Sequence, residues 1–446
     1  MALRDLLLIL ILAGLIPTAL VRPWIGILGW YWIGMMNPHL LTWGFARQLP
    51  VAMLVAIPTL IGLLLTRERK SIAWNREMIL VALMFAHFTF TSFFAWSPSQ
   101  AWSQWDKVWK ILLMTYVTTT LIYGRQRVWW LLLVFVLSIG YFGVKGGVFT
   151  FVTGGIHRVQ GPGGSFIGTN VGLGLALVMI IPLLVFMARD EPRQWLRTAL
   201  RVTAGLSVVA AAFTYSRGAM LGLAAIAPFV FGKTKHKAFV LLVLLPLAYF
   251  SRDLIPKELY QRTESISEYQ QDMSAQGRLM AWSVAWNLAL EKPLTGAGFN
   301  FEYSGMEERW LSYATYVPPA KEERYARAAH SIYFQVLGQH GFVGLGLFVA
   351  LLASSFLSAR RIRRLATADP ETIWMANVAD AIRIGLVGYM VAGAFVSMAY
   401  FDLLYVFIAL IALLQRELSE RQLETVRQVA PEKPASPVVA GVASRA

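Results

Sequence analysis

The sequence predicts an all-α polytopic integral membrane protein, with about 12 transmembrane helices and one large loop outside the membrane. Three observations carry that reading. First, 57% of the 446 residues are hydrophobic and only 15% are charged; with a mean hydropathy of +0.55, this is more apolar surface than a soluble core can hide. Second, runs such as Leu6–Leu20, Met78–Phe94 and Val128–Ser138 approach or reach the ~20 residues that span a hydrocarbon core. Third, one polar stretch, 251–329, interrupts the apolar chain and is followed at once by His330, where the next apolar segment begins. An ionisable imidazole at the lip of a bilayer is a costly placement and marks a candidate site.

The elements follow from the charges. Leu6–Ala19 lacks a clean small-residue cleavage site and leads into more membrane sequence, so it reads as a retained segment. Residues 1–66 offer three apolar runs, two of them short, which puts the total at about 12 or 13 spans. The short basic loops 66–77, 123–127, 188–201, 232–237 and 359–371 all read as cytoplasmic. Spans are then expected near 78–96, 107–122, 128–149, 166–187, 200–215, 218–231, 238–250, 331–357, 381–399 and 403–415. Three segments fall on the outer face: the Gly-rich loop 153–166, the tight turn TYSRG at 214–218, and the large loop 251–329. The large loop holds nine Lys/Arg against eleven Asp/Glu, a near-neutral balance that suits an external position. The 16 Trp and 16 Tyr fit interfacial belts. The chain divides into N-terminal helices (1–250), the outer loop (251–329), C-terminal helices (330–415) and a cytoplasmic tail (416–446). The tail opens with a segment, RELSERQLETVRQ, that can form a short helix, and its Pro/Ala/Ser remainder reads as disordered.

Composition also excludes. The net charge of +15 raises nucleic acid as a partner, but the cations lie in short inter-helix loops, where Lys and Arg set topology. Without cysteine there are no disulfides, thiolate metal sites or cysteine nucleophiles. There is no external Asp-x-Asp, no cluster with metal-ligand spacing and no GxSxG, so no metal or cofactor is called for. The stretches GGVFTFVTGG and QGPGG match no P-loop and read as a flexible external loop whose backbone can approach a ligand.

The candidate residues are cations that break the inside bias. Arg217 sits in the outer turn between two apolar spans, Arg158 in the Gly-rich outer loop, and Arg278 in SAQGRLMAWSVAWNLALEKPLTGAGF. In that last segment Leu279, Trp282, Val284, Trp286 and Leu290 fit an amphipathic helix near the interface. Guanidinium forks bind phosphate oxygens bidentately and stay charged, so three of them at one membrane edge would clamp an anion. The plainer reading of Arg158 or Arg278 alone is an arginine snorkelling to headgroups or pairing with a nearby glutamate, whereas TYSRG gives Arg217 almost no polar sequence neighbours. His330 can take a proton from a hydroxyl near neutral pH, although a histidine at a helix start is often only structural. Ser331 is a residue type that caps such a start. His340 belongs to a deeper layer, His87 reads as a packing residue, and His157 could support Arg158. The outer loop also holds the carboxylates Glu302, Glu307, Glu308, Glu322 and Glu323; paired carboxylates can suggest glycoside hydrolysis, but the runs MEER and KEER read as solvated helix faces.

The same residues carry a resemblance. SRG at an outer turn, GR followed by Trp and PLTGAGF, and a loop closing on His before a Gly-rich span together resemble the bacterial O-antigen ligase and polymerase superfamily. NPHLLTWGF (37–45) and RVQGPGGSFIGTN (158–170) look more narrowly like the putative O-glycosylation ligases of the O-antigen-ligase type. The resemblance implies a GT-C-like glycosyltransferase of the bacterial inner membrane with its site facing the periplasm. It implies metal-independent, inverting transfer of a glycan from undecaprenyl diphosphate to a sugar hydroxyl of lipid A-core. Carried over by position, Arg217, Arg278 and, more weakly, Arg158 bind the diphosphate, and His330 is the general base. Many relatives have Asn after that histidine, where this chain has Ser331. Two related activities, O-antigen polymerisation and protein O-oligosaccharyl transfer, differ only in acceptor. A lipid-linked glycan transporter is the non-enzymatic alternative, although the unusual charges gather at one face rather than on both sides of the midplane.

Overall fold

The computed structural model describes residues 3–233, 273–317 and 324–429. The expected span 238–250, the first part of the outer loop and the Pro/Ala/Ser tail lie outside the described residues. Within them the protein is all-helical, with fourteen α-helices. These are α1 (Leu3–Val21), α2 (Pro23–Met36), α3 (Val51–Leu65), α4 (Arg76–Ser92), α5 (Pro98–Leu121), α6 (Gly124–Val152) and α7 (Asn170–Asp190). They continue with α8 (Gln194–Ala212), α9 (Arg217–Lys233), α10 (Met273–Glu291), α11 (Glu307–Ser312), α12 (Ile332–Ala366), α13 (Ile373–Gly393) and α14 (Asp402–Val429). Five of them, α1, α6, α7, α12 and α13, are long and apolar enough to cross a membrane, and α3 and α9 are shorter apolar helices. The chain is a polytopic membrane protein.

The helices sort their ends onto two faces. Arg4 Nη1 donates to the Leu41 carbonyl at 3.0 Å, so the start of α1 meets the segment between α2 and α3. At the other end, a Cβ on Gly62 of α3 would lie 2.7 Å from the Ala19 carbonyl of α1. One face therefore carries the basic loops, and the opposite face carries residues 37–50, the α6–α7 loop, the α8–α9 turn, α10–α11 and the α13–α14 loop.

Several expected boundaries move. GGVFTFVTGG was read as loop, but α6 runs through it to Val152. Gly143, Gly146 and Gly147 face Ser207, Ala210 and Leu206 of α8, so these glycines let two helices approach closely. The span expected at 381–399 is instead α13, ending at Gly393 and followed by irregular chain. Apolar composition cannot hold a helix there because side chains satisfy the backbone another way: Tyr389 Oη donates to the Met398 carbonyl at 2.9 Å, and the Ala399 N–H donates to Gln335 Oε1 at 3.1 Å. At the other end of the chain, the segment RELSERQLETVRQ, expected to be able to form a short helix, continues α14 to Val429. Arg416 anchors it across the basic face, donating to the carbonyls of Ser71, Thr119 (2.7 Å) and Ile122 (3.2 Å). The Thr119 and Ile122 carbonyls are orphan acceptors at and beyond the end of α5.

Helix α12 is broken near one third of its length. Gly341 has φ 66 and ψ −168, outside the helical region. The break is stitched by PLTGAGF: the N–H groups of Ala297 and Gly298 donate to the carbonyls of Gly338 and Gln339 at 3.0 and 2.9 Å, and the Phe342 N–H donates to the Pro293 carbonyl at 2.8 Å. A Cβ on Gly341 would stand 2.3 Å from that same carbonyl. Glycine is needed here for both its φ and its lack of bulk. The segment Ile332–His340 is thereby a separate short helix, with His330 at one end and the break at the other.

Candidate active site

Helix α10 supports the His330 corner. Met280, Ala281, Val284, Ala285, Leu288 and Ala289 are buried, whereas Trp286 and Leu290 are exposed. Small alanines turn inward and bring α10 close to α12. The bulkier row turns outward, where Trp282 stacks on Phe334 with ring centroids 4.9 Å apart. Trp282 Nε1 also donates to the Ala329 carbonyl at 2.7 Å, fixing the residue before His330.

His330 itself has φ 47, a left-handed backbone uncommon outside glycine. Left-handed residues with side chains cost about 1–3 kcal/mol and collect at functional sites. Ser331 occupies the N-cap position of α12 but makes no side-chain capping bond, so the capping expected of it is absent. The short helix is held instead by Tyr333 Oη donating to the Met390 carbonyl at 3.0 Å. The imidazole keeps an exposed face. Even so, the protein packed about it, then Arg278 and Arg327, hold its pKa below the ordinary 6.5. Arg278 and Arg327 are thus both close to His330. A Cβ on Gly277 would fall 1.9 Å from Arg327 Nη1, so the guanidinium lies flat against α10 in the space that glycine leaves. Its other side covers the Tyr325 ring at 4.0 Å.

A second corner forms at the α8–α9 turn. Tyr215 has φ 52 and Arg217 is the first residue of α9. Ser216 Oγ accepts from the Ala219 N–H at 3.3 Å, and Asn170 Nδ2 donates to the Thr214 carbonyl at 2.8 Å. The α6–α7 loop is tied to this turn: the Val159 N–H donates to the Phe213 carbonyl at 3.0 Å, and Tyr215 Oη donates to the Gly155 carbonyl. Arg158 consequently acts on the Tyr215 hydroxyl, opposing the rise in its pKa that burial causes. Arg158 and Arg217 therefore share one corner, and Arg278, Arg327 and His330 share the other.

The end of α13 packs against both. A Cβ on Gly218 would meet the Ala392 carbonyl at 2.9 Å and Phe395, and one on Gly393 would meet Ile332 at 2.7 Å. Among the described residues no group of three His, Cys, Asp or Glu side chains is arranged to hold a metal.

Residues 202–349 span both Arg217 and His330, and they match the O-antigen ligase family. The chain carries an O-antigen ligase domain. Residues 3–192 match a family of unknown function (DUF5935), and no curated protein matches the chain. An O-antigen ligase domain implies a glycosyl-joining enzyme whose substrates are lipid-linked glycans. Arg158 lies outside that domain, so the corner it shares with Arg217 joins the two matched regions.

Two residues of the O-antigen ligase domain escaped the sequence reading. Arg327 was one cation among nine in the loop, and its only signal is a place three residues before His330. Glu302, one candidate among the five loop carboxylates, is buried, 7% exposed. Its signal was the apolar context of GAGFNFEY. Burial pushes its carboxyl up to about 7, against its own backbone N–H and Gln339, which favour the charged form.

Proposed function

We propose that the protein is a GT-C-like O-antigen ligase of the bacterial inner membrane. It transfers a glycan from undecaprenyl diphosphate to a lipid A-core sugar hydroxyl at the periplasmic face. The observation that carries this reading is the pairing of His330 with Arg278 and Arg327, in a domain whose family acts on lipid-linked glycans. Burial first, then the two guanidiniums, favours the neutral imidazole, the form that can accept a proton. The guanidiniums also suit the diphosphate leaving group, whose charge must be stabilised as it departs. His330 removes the acceptor hydroxyl's proton, the hydroxyl oxygen attacks the anomeric carbon, and the bond to the diphosphate oxygen breaks. One displacement inverts the anomeric configuration and needs no metal in this scheme. Arg217, with Arg158 beside its turn, receives the diphosphate from the other corner.

The sidedness follows from the charges. The basic loops face the cytoplasm, so the His330 face is periplasmic and the chain end near Arg4, hydrogen-bonded to Leu41, lies there too. The exposed Trp286 and Leu290 of α10 suit contact with the outer leaflet.

Purified protein given lipid-linked donor and separate acceptors decides the matter. Product on lipid A-core is expected. Product only on a growing glycan or a peptide would reassign the acceptor, and donor movement without any product would replace the enzyme with a transporter.

A further inference from the structure

Behind the short helix that follows His330 runs a line of buried polar side chains that the transfer reaction does not use. Thr91 Oγ1 lies 2.6 Å from His340 Nδ1, His340 Nε2 lies 3.0 Å from Tyr400 Oη, and Tyr400 Oη donates to Gln339 Oε1 at 2.7 Å. Thr91 Oγ1 is also 3.1 Å from the Phe88 carbonyl. The Gln339 amide faces the Glu302 carboxyl closely enough to favour its charged form. Yet Glu302 Oε2 and Gln339 Nε2 are both buried and close no hydrogen bond among the described residues. Gln339 and His340 are fully buried, and Phe88 stacks on the imidazole at 4.0 Å. Unfilled polar atoms in such a place are costly, so a built arrangement should satisfy them.

Two arrangements do, and they run in opposite directions. With Glu302 ionised, Gln339 Nε2 donates to it, Tyr400 donates to Gln339 Oε1, His340 Nε2–H donates to Tyr400, and Thr91 donates to His340 Nδ1. With Glu302 protonated, its hydroxyl donates to a Gln339 amide turned end for end, which the isosteric amide permits. Gln339 Nε2 then donates to Tyr400, Tyr400 to His340 Nε2, His340 Nδ1–H to Thr91, and Thr91 to the Phe88 carbonyl. We propose that Glu302, Gln339, Tyr400, His340 and Thr91 form one hydrogen-bond chain, whose direction and whose His340 tautomer are set by whether Glu302 holds a proton. The carboxyl's midpoint of about 7 places that exchange near neutrality. The other titratable groups facing the chain are Tyr303 beside Glu302, Tyr389 and Tyr405 beside Tyr400, and His87 beside His340, where His87 Nε2 lies 3.1 Å from the His340 carbonyl.

The test needs no substrate and so stands apart from the assigned reaction. The purified full-length protein, labelled with ¹⁵N-histidine, is examined by NMR at about pH 5.5 and about pH 8.5, and the His340 signals are assigned by their loss in His340→Gln. The expected result is Nδ1–H at the lower pH and Nε2–H at the higher. In Glu302→Gln the tautomer no longer changes with pH, and Tyr400→Phe uncouples it while leaving Glu302 in place. A His340 tautomer that is the same at both pH values in the unsubstituted protein would overturn the proposal, as would a change that persists in both variants.

Discussion

The two faces of the protein handle charge in opposite ways. On the basic-loop face, opposite charges meet. Asp380 accepts from Arg383 at 2.6 Å and Arg363 lies 3.3 Å away, Arg127 pairs with Glu68 at 2.8 Å, and Glu191 pairs with Arg193 at 2.7 Å. On the His330 face, two cations, Arg278 and Arg327, act against protonation of one imidazole. The first pattern fastens helix ends. The second fits the proposed site for an anionic leaving group. On that proposal, one face holds the protein together and the other carries the chemistry.

The sharpest break in that contrast would come from His330→Ala. On the proposed mechanism it lowers transfer by about 10²–10⁴-fold with normal insertion, measured as O-antigen joined to lipid A-core. Near-normal transfer would remove His330 as the base. Asp380→Ala should act the other way. It leaves Arg363 and Arg383 without their carboxylate and is expected to cost about 3–5 kcal/mol of stability, read as a lower melting temperature in detergent with unchanged transfer per folded molecule. Loss of transfer beyond loss of folded protein would show that the two faces are not separate.

Arg278→Lys and Arg327→Lys test the nature of the cations. Charge stays but the fork is lost, so each is expected to cost about tenfold in kcat/KM, roughly 1.4 kcal/mol. Unchanged kinetics would mean that bidentate phosphate contact is not used. The pH profile follows with its sign. His330 is lowered from 6.5, so transfer should persist as pH falls through 6.5 and decline only below it. Arg278→Ala should move that acid limb upward, because a cation that disfavours protonation is gone. The smallest effect belongs to the exposed pair Arg69–Glu420, whose side chains are 48% and 36% exposed. Arg69→Ala should change stability by less than about 1 kcal/mol.

How far the site was legible depended on how each part is built. Arg217 and the end of the large loop were visible because a cation between apolar spans and a histidine at a span's edge stand out in one dimension. The sequence showed α10 as an amphipathic helix near the interface but not which row faces α12, because close helix contact selects alanine on the inner face. The role of PLTGAGF was also hidden. Its work is backbone hydrogen bonding to a helix break forty residues further along the chain, and backbone groups carry no sequence signature.

The amino-acid sequence alone determined that this chain lives in a membrane, which loops carry the topogenic charge, and which cations and histidine were worth examining. Hydropathy and charge are additive along a chain, so they can be read before folding. Tertiary structure alone decided that Arg327 joins Arg278 at His330, that Arg158 joins the Arg217 turn, and that Glu302 is buried against Gln339. Those outcomes depend on irregular backbone at 293–300, 324–331 and 394–401. There, hydrogen bonds between distant segments set every position, and residue spacing carries no period from which distance could be inferred.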